Sequence, residues 1–161
     1  MTSLFTHPPC AEDQPNAHAI LYLHVIRASA MSCAFLSLPI SLIFSQPPRR
    51  PLLAMTLLYS GRGLIIGSLA GAAMTWKHMR GREEVEWQDR SWRLLENSGE
   101  VDTDWESIAA AGGGAAAGVL AARRGILPLK IGQAALGGAG VGLSSGVLFM
   151  IATYVAGRKP A

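Results

Sequence analysis

From Ile131 to Gly157 the chain runs 27 residues without a charged side chain, whereas ~20 predominantly apolar residues suffice for a helix to cross a hydrocarbon core. A chain of 161 residues must bury this segment in its own core or give it to lipid, and the placement of charge favours lipid. Nine of the 11 acidic residues (Glu83, Glu84, Glu86, Asp89, Glu96, Glu100, Asp102, Asp104 and Glu106) fall between Lys77 and Glu106. Long stretches elsewhere carry none, the segregation a bilayer imposes because an ion in hydrocarbon loses its hydration without replacement. The composition, 50% hydrophobic and 16% charged, points the same way.

The net charge of +3 does not indicate nucleic acid. Basic residues stand in small groups at the ends of apolar runs (Arg49 and Arg50; Arg123, Arg124 and Lys130; Arg158 and Lys159), as membrane anchors do, rather than in a stripe that could track phosphates. Cys10 and Cys33 lie far apart and outside any CxxC spacing, so neither a zinc site nor a disulfide framework is read. The first basic residue is Arg27, after Glu12 and Asp13, which is the pattern of neither a secretory signal nor a mitochondrial transit peptide.

Residue use changes near position 51. All 18 glycines follow residue 60, whereas seven of nine prolines, both cysteines and His7, His18 and His24 lie within the first 51 residues. Residues 1–50 therefore read as a poorly specified N-terminal extension, with an optional span at 28–45 interrupted by Pro39, or as partly an artefact of the start site, translation normally beginning at Met31 or Met55. Residues 51–161 read as the membrane domain. Its expected spans are 52–76, 106–122 and 131–157. The first carries Arg62 as its only charge and closes on Trp76, Lys77 and His78, a headgroup-boundary pattern. The second is almost wholly Ala and Gly and needs partner helices. Between them, 77–105 is expected to be a charged helix that continues out of the bilayer and stops at Asn97-Ser98-Gly99. Thr103-x-x-Glu106 reads as the capping box of the next helix. The fold class is thus all-α, a membrane bundle of three or four transmembrane helices plus one charged extramembrane helix.

The most specific motif is a repeat of small residues at spacing four: Gly63, Gly67 and Gly71; Gly114 and Gly118 between Ala110 and Ala122; Gly138, Gly142 and Gly146. Such stripes let helix backbones approach where lipid supplies no hydrophobic drive, so these glycines are the expected packing positions. Val147, well off the stripe, should tolerate enlargement. Arg62, on the Ile66 and Leu69 face, is either an intramembrane functional charge or a side chain that snorkels to headgroups. Trp87 and Trp92, on a helix otherwise charged, are the candidate partner surface. The carboxylates of 77–106 are matched by Lys77, Arg80, Arg82, Arg90 and Arg93 and read as a solvated helix. Gly112-Gly113-Gly114 lacks the Lys-Ser/Thr of a phosphate loop, and no nucleophile, zinc or general-base motif is present. The reading is of a non-enzymatic protein without cofactor or metal.

The stretch Trp87-Gln-Asp-Arg-Ser-Trp-Arg-Leu-Leu-Glu-Asn, followed by Trp105, a Gly/Ala helix, Arg123-Arg124-Gly125 and a second Gly-rich helix, resembles a group of small uncharacterised fungal membrane proteins over residues 51–157. The Gly-rich hairpin is also similar to the mitochondrial preprotein-translocase and related inner-membrane family, without that family's charged signature around its middle helices. Both resemblances imply a helical membrane protein and favour the mitochondrion. The expected role is a scaffold, accessory or assembly subunit with the lipid bilayer and other membrane subunits as partners, or alternatively a component of a transporter or translocase. Basic residues on the two sides of the three expected spans number five against seven, too even to orient them.

Overall fold

The structure, a computed structural model, describes residues 5–44 and 51–156. Among them it forms five α-helices and no strand: α1 (Ala17–Phe44), α2 (Leu52–Met79), α3 (Glu84–Glu96), α4 (Ser98–Arg123) and α5 (Ile131–Val155), after a single 3-10 turn at Ala11–Asp13. The segment 45–50 with Arg49 and Arg50, the end of the expected third span at 156–157, and the tail with Arg158 and Lys159 fall wholly or partly outside the described residues.

Three helices, α1, α2 and α5, are long and apolar enough to cross a membrane. This differs from the expected set. The helix the sequence left optional qualifies, and it starts at Ala17 rather than 28 and runs through Pro39. Pro39 faces outward, so its ring meets open space instead of a neighbouring helix. The Ala/Gly helix α4 does not qualify, because Glu100, Asp102, Asp104 and Glu106 lie within it and Ala and Gly add little hydropathy. Residues 17–44 are also no extension, since α1 lies along the length of α2 in the same bundle.

The boundaries follow local chemistry. After Met79 the chain breaks at Gly81 with φ +77°, a left-handed conformation that glycine adopts without a Cβ penalty. The charged helix is therefore separate from α2 rather than its continuation. At the other expected boundary, α4 begins at Ser98, with the Asn97 side chain accepting from the Glu100 N–H at 3.3 Å. The Thr103-x-x-Glu106 box consequently lies inside a helix rather than at a start, and the Thr103 hydroxyl donates to the Gly99 carbonyl at 2.8 Å. Past Arg124, Gly125 at φ +70° closes α4. Its N–H donates to Ala122 O, and the Ile126 N–H to Ala121 O, the paired bonds of a Schellman motif.

Glycine and alanine pairs reveal the helix directions. Gly114 meets the Gly138 backbone, Gly118 that of Ala134, and Gly142 that of Ala110; numbers that rise on one helix as they fall on the other make α4 and α5 antiparallel. Gly63, Gly67 and Gly71 likewise meet Cys33, Ser29 and Val25 of antiparallel α1. Leu57 with Gly137, and Ser60 with Gly140, advance together, so α2 and α5 are parallel. Two hairpins thus stand side by side, with α3 at the end where α1 and α4 begin and α2 ends.

Residue placement is inverted relative to a soluble domain. Ser37, Ser41, Ser60, Ser91, Ser107 and Ser144 are buried, while Leu36, Ile43, Ile66, Leu69, Leu148 and Val155 are exposed. These outward side chains give the bundle a broad apolar surface. Most of these serines are accommodated by their own helices: Ser37 donates to Ala34 O, Ser41 to Leu38 O and Ser144 to Val141 O, each at 2.6 Å, whereas Ser60 Oγ is buried without a hydrogen-bond partner.

Candidate functional site

Two positions on each of two helices build the most unusual feature of the bundle. His24 and Arg27, three apart on α1, share a face, as do Glu100 and Asp104, four apart on α4. Because α1 and α4 run parallel, the pairs meet. Arg27 Nε forms an ion pair with Asp104 Oδ1, and Arg27 Nη2 lies 3.6 Å from Glu100 Oε2. His24 directs Nδ1 to Asp104 Oδ1 at 3.5 Å and Nε2 toward Glu100 Oε2 at 3.9 Å. The Arg27 side chain is 5% exposed and that of Asp104 2%, which separates this cluster from an ordinary surface pair. Arg27 Nη1 also donates to Met31 Sδ at 3.4 Å. Two residues further along α4, Glu106 Oε1 accepts from the Ser145 hydroxyl of α5 at 2.9 Å, while its Oε2 is buried without a hydrogen-bond partner.

The acidic segment is therefore not simply a solvated face. Arg82 with Glu86 (3.3 Å) and Arg93 with Asp89 (3.0 Å) are exposed pairs of that kind, but Glu100, Asp104 and Glu106 turn into the bundle. Sequence reasoning missed this because Arg27 stands one residue ahead of an uncharged run and reads as a flank. The available signal was the helical spacing of His24 with Arg27 and of Glu100 with Asp104.

The predicted residues divide in three. Gly63, Gly67, Gly71, Gly114, Gly118, Gly138 and Gly142 all face backbone of a neighbouring helix, and Gly146 faces the Met31 and Ser107 side chains. A methyl group on Gly63 would stand 2.6 Å from the Cys33 carbonyl oxygen. Two further close approaches, Gly137 on Leu57 and Gly140 on Ser60, lie off the spacing-four repeat and were not anticipated. Val147 is not a free position: it packs against the cluster of Ala30, Met31 and Leu143.

Trp87 and Trp92 do not form an open partner surface. Trp87 is buried with Ala17 and Met79, and His18 stacks on its ring at 3.8 Å between centroids. Trp92 donates from Nε1 to Pro8 O at 2.8 Å and stacks with His7 at 5.2 Å. Both tryptophans fasten α3 to the N-terminal segment, whose bulk they match. Arg62 lies on the exposed face with Ile66 and Leu69. Its guanidinium sits 5.7 Å from the Tyr59 ring centroid, a cation–π contact on the side toward the start of α2. No carboxylate lies within ion-pair distance of it among the described residues. The polar residues a pore would need are spent locally: Ser68 on Leu64 O, Thr75 on Gly71 O, Thr153 on Met150 O, with Gln133 accepting from the Lys130 N–H.

Fold and site together define an all-α bundle with three helices able to cross a membrane and an ionic cluster buried where one of them, α1, meets α4. The chain belongs to the family described as a protein of unknown function, DUF1757, which it matches over residues 11–153. The match takes in all of α1, beyond the 51–157 over which the fungal resemblance was read. No curated protein matches the chain.

Proposed function

We propose that this protein is an integral, non-enzymatic membrane protein that serves as an accessory or assembly subunit of a membrane complex, with the mitochondrial inner membrane as its compartment on the resemblance of its Gly-rich hairpin. The membrane setting rests on the outward apolar residues. It predicts retention in the pellet after alkaline carbonate extraction, which strips proteins held by charge alone; recovery in the supernatant would refute the membrane class.

The observation that carries the subunit role is the outer face of α4. Ala109, Gly112, Gly113, Ala116 and Ala117 are all exposed there, and a methyl group on Gly112 or Gly113 would meet nothing within 4 Å. The other glycine stripes are filled within the chain. α4 packs on α5 and little else, so its least lipophilic side is also its uncovered one. Close approach of small residues suits a helix of another membrane protein. Purification in mild detergent should then yield a stable complex. Gly113→Leu should release the co-purifying subunit and leave the chain's own fold intact, whereas Gly132→Leu, equally open on α5, should not. A monodisperse lone species from wild type would overturn this role.

A second reading, a transporter or translocase component, draws on the buried Arg27, Asp104 and Glu106, since ionisable residues among apolar helices mark ion or substrate pathways. Flux through proteoliposomes holding this chain alone would favour it.

A further inference from the structure

We propose that His24, Glu100 and Asp104, set round Arg27, form a proton-binding site, and that its occupation fastens α1 to α4. The inference rests on charge and on donor count. One guanidinium against two carboxylates leaves the cluster at −1 while the imidazole is neutral. A proton brings it to zero. A neutral imidazole has a single N–H, yet both ring nitrogens of His24 are directed at carboxylate oxygens, 3.5 Å from Asp104 and 3.9 Å from Glu100. One nitrogen then presents a lone pair to an anion. Only the doubly protonated ring turns an N–H toward both.

The surroundings leave this site to a proton. Arg27 occupies the space between the carboxylates that a metal ion would need, and no group of three His, Cys, Asp or Glu side chains among the described residues could hold one. From α4 the charged groups facing His24 are Glu100 and Asp104, and on its own helix Arg27. From α5, Tyr154 lines the groove described below. On the other side of α1, His78 of α2 and Arg90 of α3 line a separate groove with Leu21 and Val25. No carboxylate of α2, α3 or α5 lies within 4 Å of His24 among the described residues. Access runs along a groove of about 300 Å³ between the start of α4 and the end of α5, lined by Gly99, Glu100, Thr103, Ile151 and Tyr154. Glu100, a third exposed, connects that groove to the buried pair.

Elsewhere α1 and α4 make few contacts, so the cluster governs how they dock. Proton uptake at His24 gives Nδ1, which lies 3.5 Å from Asp104 Oδ1 without a hydrogen-bond partner, an ionic hydrogen bond to close on across the joint, and loss of that proton returns an unbalanced buried anion. The joint is tighter with this proton bound and looser without it. A second contact of the same sense, His18 Nε2 with Glu84 Oε2 at 2.8 Å, joins α1 to α3, but both groups are exposed and a surface pair contributes little.

The test uses the full-length protein in detergent micelles with 15N-labelled histidine, assigned through His24→Gln. Side-chain NMR of wild type should show both His24 ring nitrogens becoming protonated as pH falls from 8 to 5. A ring that stays neutral throughout overturns the proposal with no variant needed. Amide exchange over 99–107, corrected for the intrinsic pH dependence, should slow at least about tenfold over the same range, the effect of one hydrogen bond to a charged group. His24→Gln should abolish that dependence and His18→Gln preserve it. Dependence lost in His18→Gln but kept in His24→Gln would place the proton at the surface pair and overturn the assignment.

Discussion

Replacing Asp104 with leucine is expected to destabilise the bundle by about 3–5 kcal/mol, the cost of leaving one member of a buried ion pair without its partner. Arg27 would keep its charge beside an apolar side chain, with only the more exposed Glu100, at 3.6 Å, to balance it. The double variant Arg27→Met/Asp104→Leu should recover most of the loss, because two apolar groups of similar volume need neither hydration nor a partner. Reversible unfolding of the three proteins in one detergent measures both effects. A single variant as stable as wild type would mean that water reaches the pair, and the cluster would lose its claim to be buried in function as well as in geometry.

The second large effect lies at one of the closest backbone approaches. A Cβ on Gly138 would fall on the Gly114 carbonyl, so Gly138→Leu must push α4 and α5 apart. Overpacking a well-filled core costs ~1–3 kcal/mol, and here the obstruction is backbone, which cannot rotate away, so the upper end applies. Gly132→Leu makes the same chemical change on the same helix where nothing lies within 4 Å, and it should be tolerated. Cysteine crosslinking between α4 and α5, on a background lacking Cys10 and Cys33, reads the separation directly. Equal crosslinking in the two variants would make the glycine contacts incidental. Val147 cannot serve as the tolerant control, since leucine there would press on Ala30, Met31 and Leu143.

The sequence shows the helices more plainly than their alliances. α2 and α5 were legible because long apolar runs, broken only by Arg62, admit few other folds, and the small-residue spacing indicated which faces could approach. The partner of each face was not legible. Gly63, Gly67 and Gly71 meet a helix that composition had set apart as an extension, because proline, serine and histidine mask its helical character. Pro39 sits inside α1 at an outward-facing position, and that orientation is a tertiary fact. Trp87 and Trp92 show the same limit: an aromatic residue on a charged helix signals contact, but whether with another chain or with His18 and Pro8 depends on where the N-terminal segment folds. The buried cluster was hidden most completely. Each of its members belongs locally to a flank or a charged run, and only the parallel alignment of α1 with α4 brings them together.

The antiparallel ladder of Gly114 on Gly138, Gly118 on Ala134 and Gly142 on Ala110 bears on the order of assembly. In the proposed membrane setting α4 is too poor in large apolar residues to leave an insertion machinery by itself, and its first turns carry carboxylates. α5 is able to enter unaided, but it is synthesised afterwards. With only Arg124 to Lys130 between them, the two helices can enter as one hairpin, α4 partitioning when α5 emerges to cover its glycine face. Biogenesis would then wait on the C-terminal helix, and a chain truncated before Ile131 would leave α4 outside the bilayer as a segment for quality control to remove.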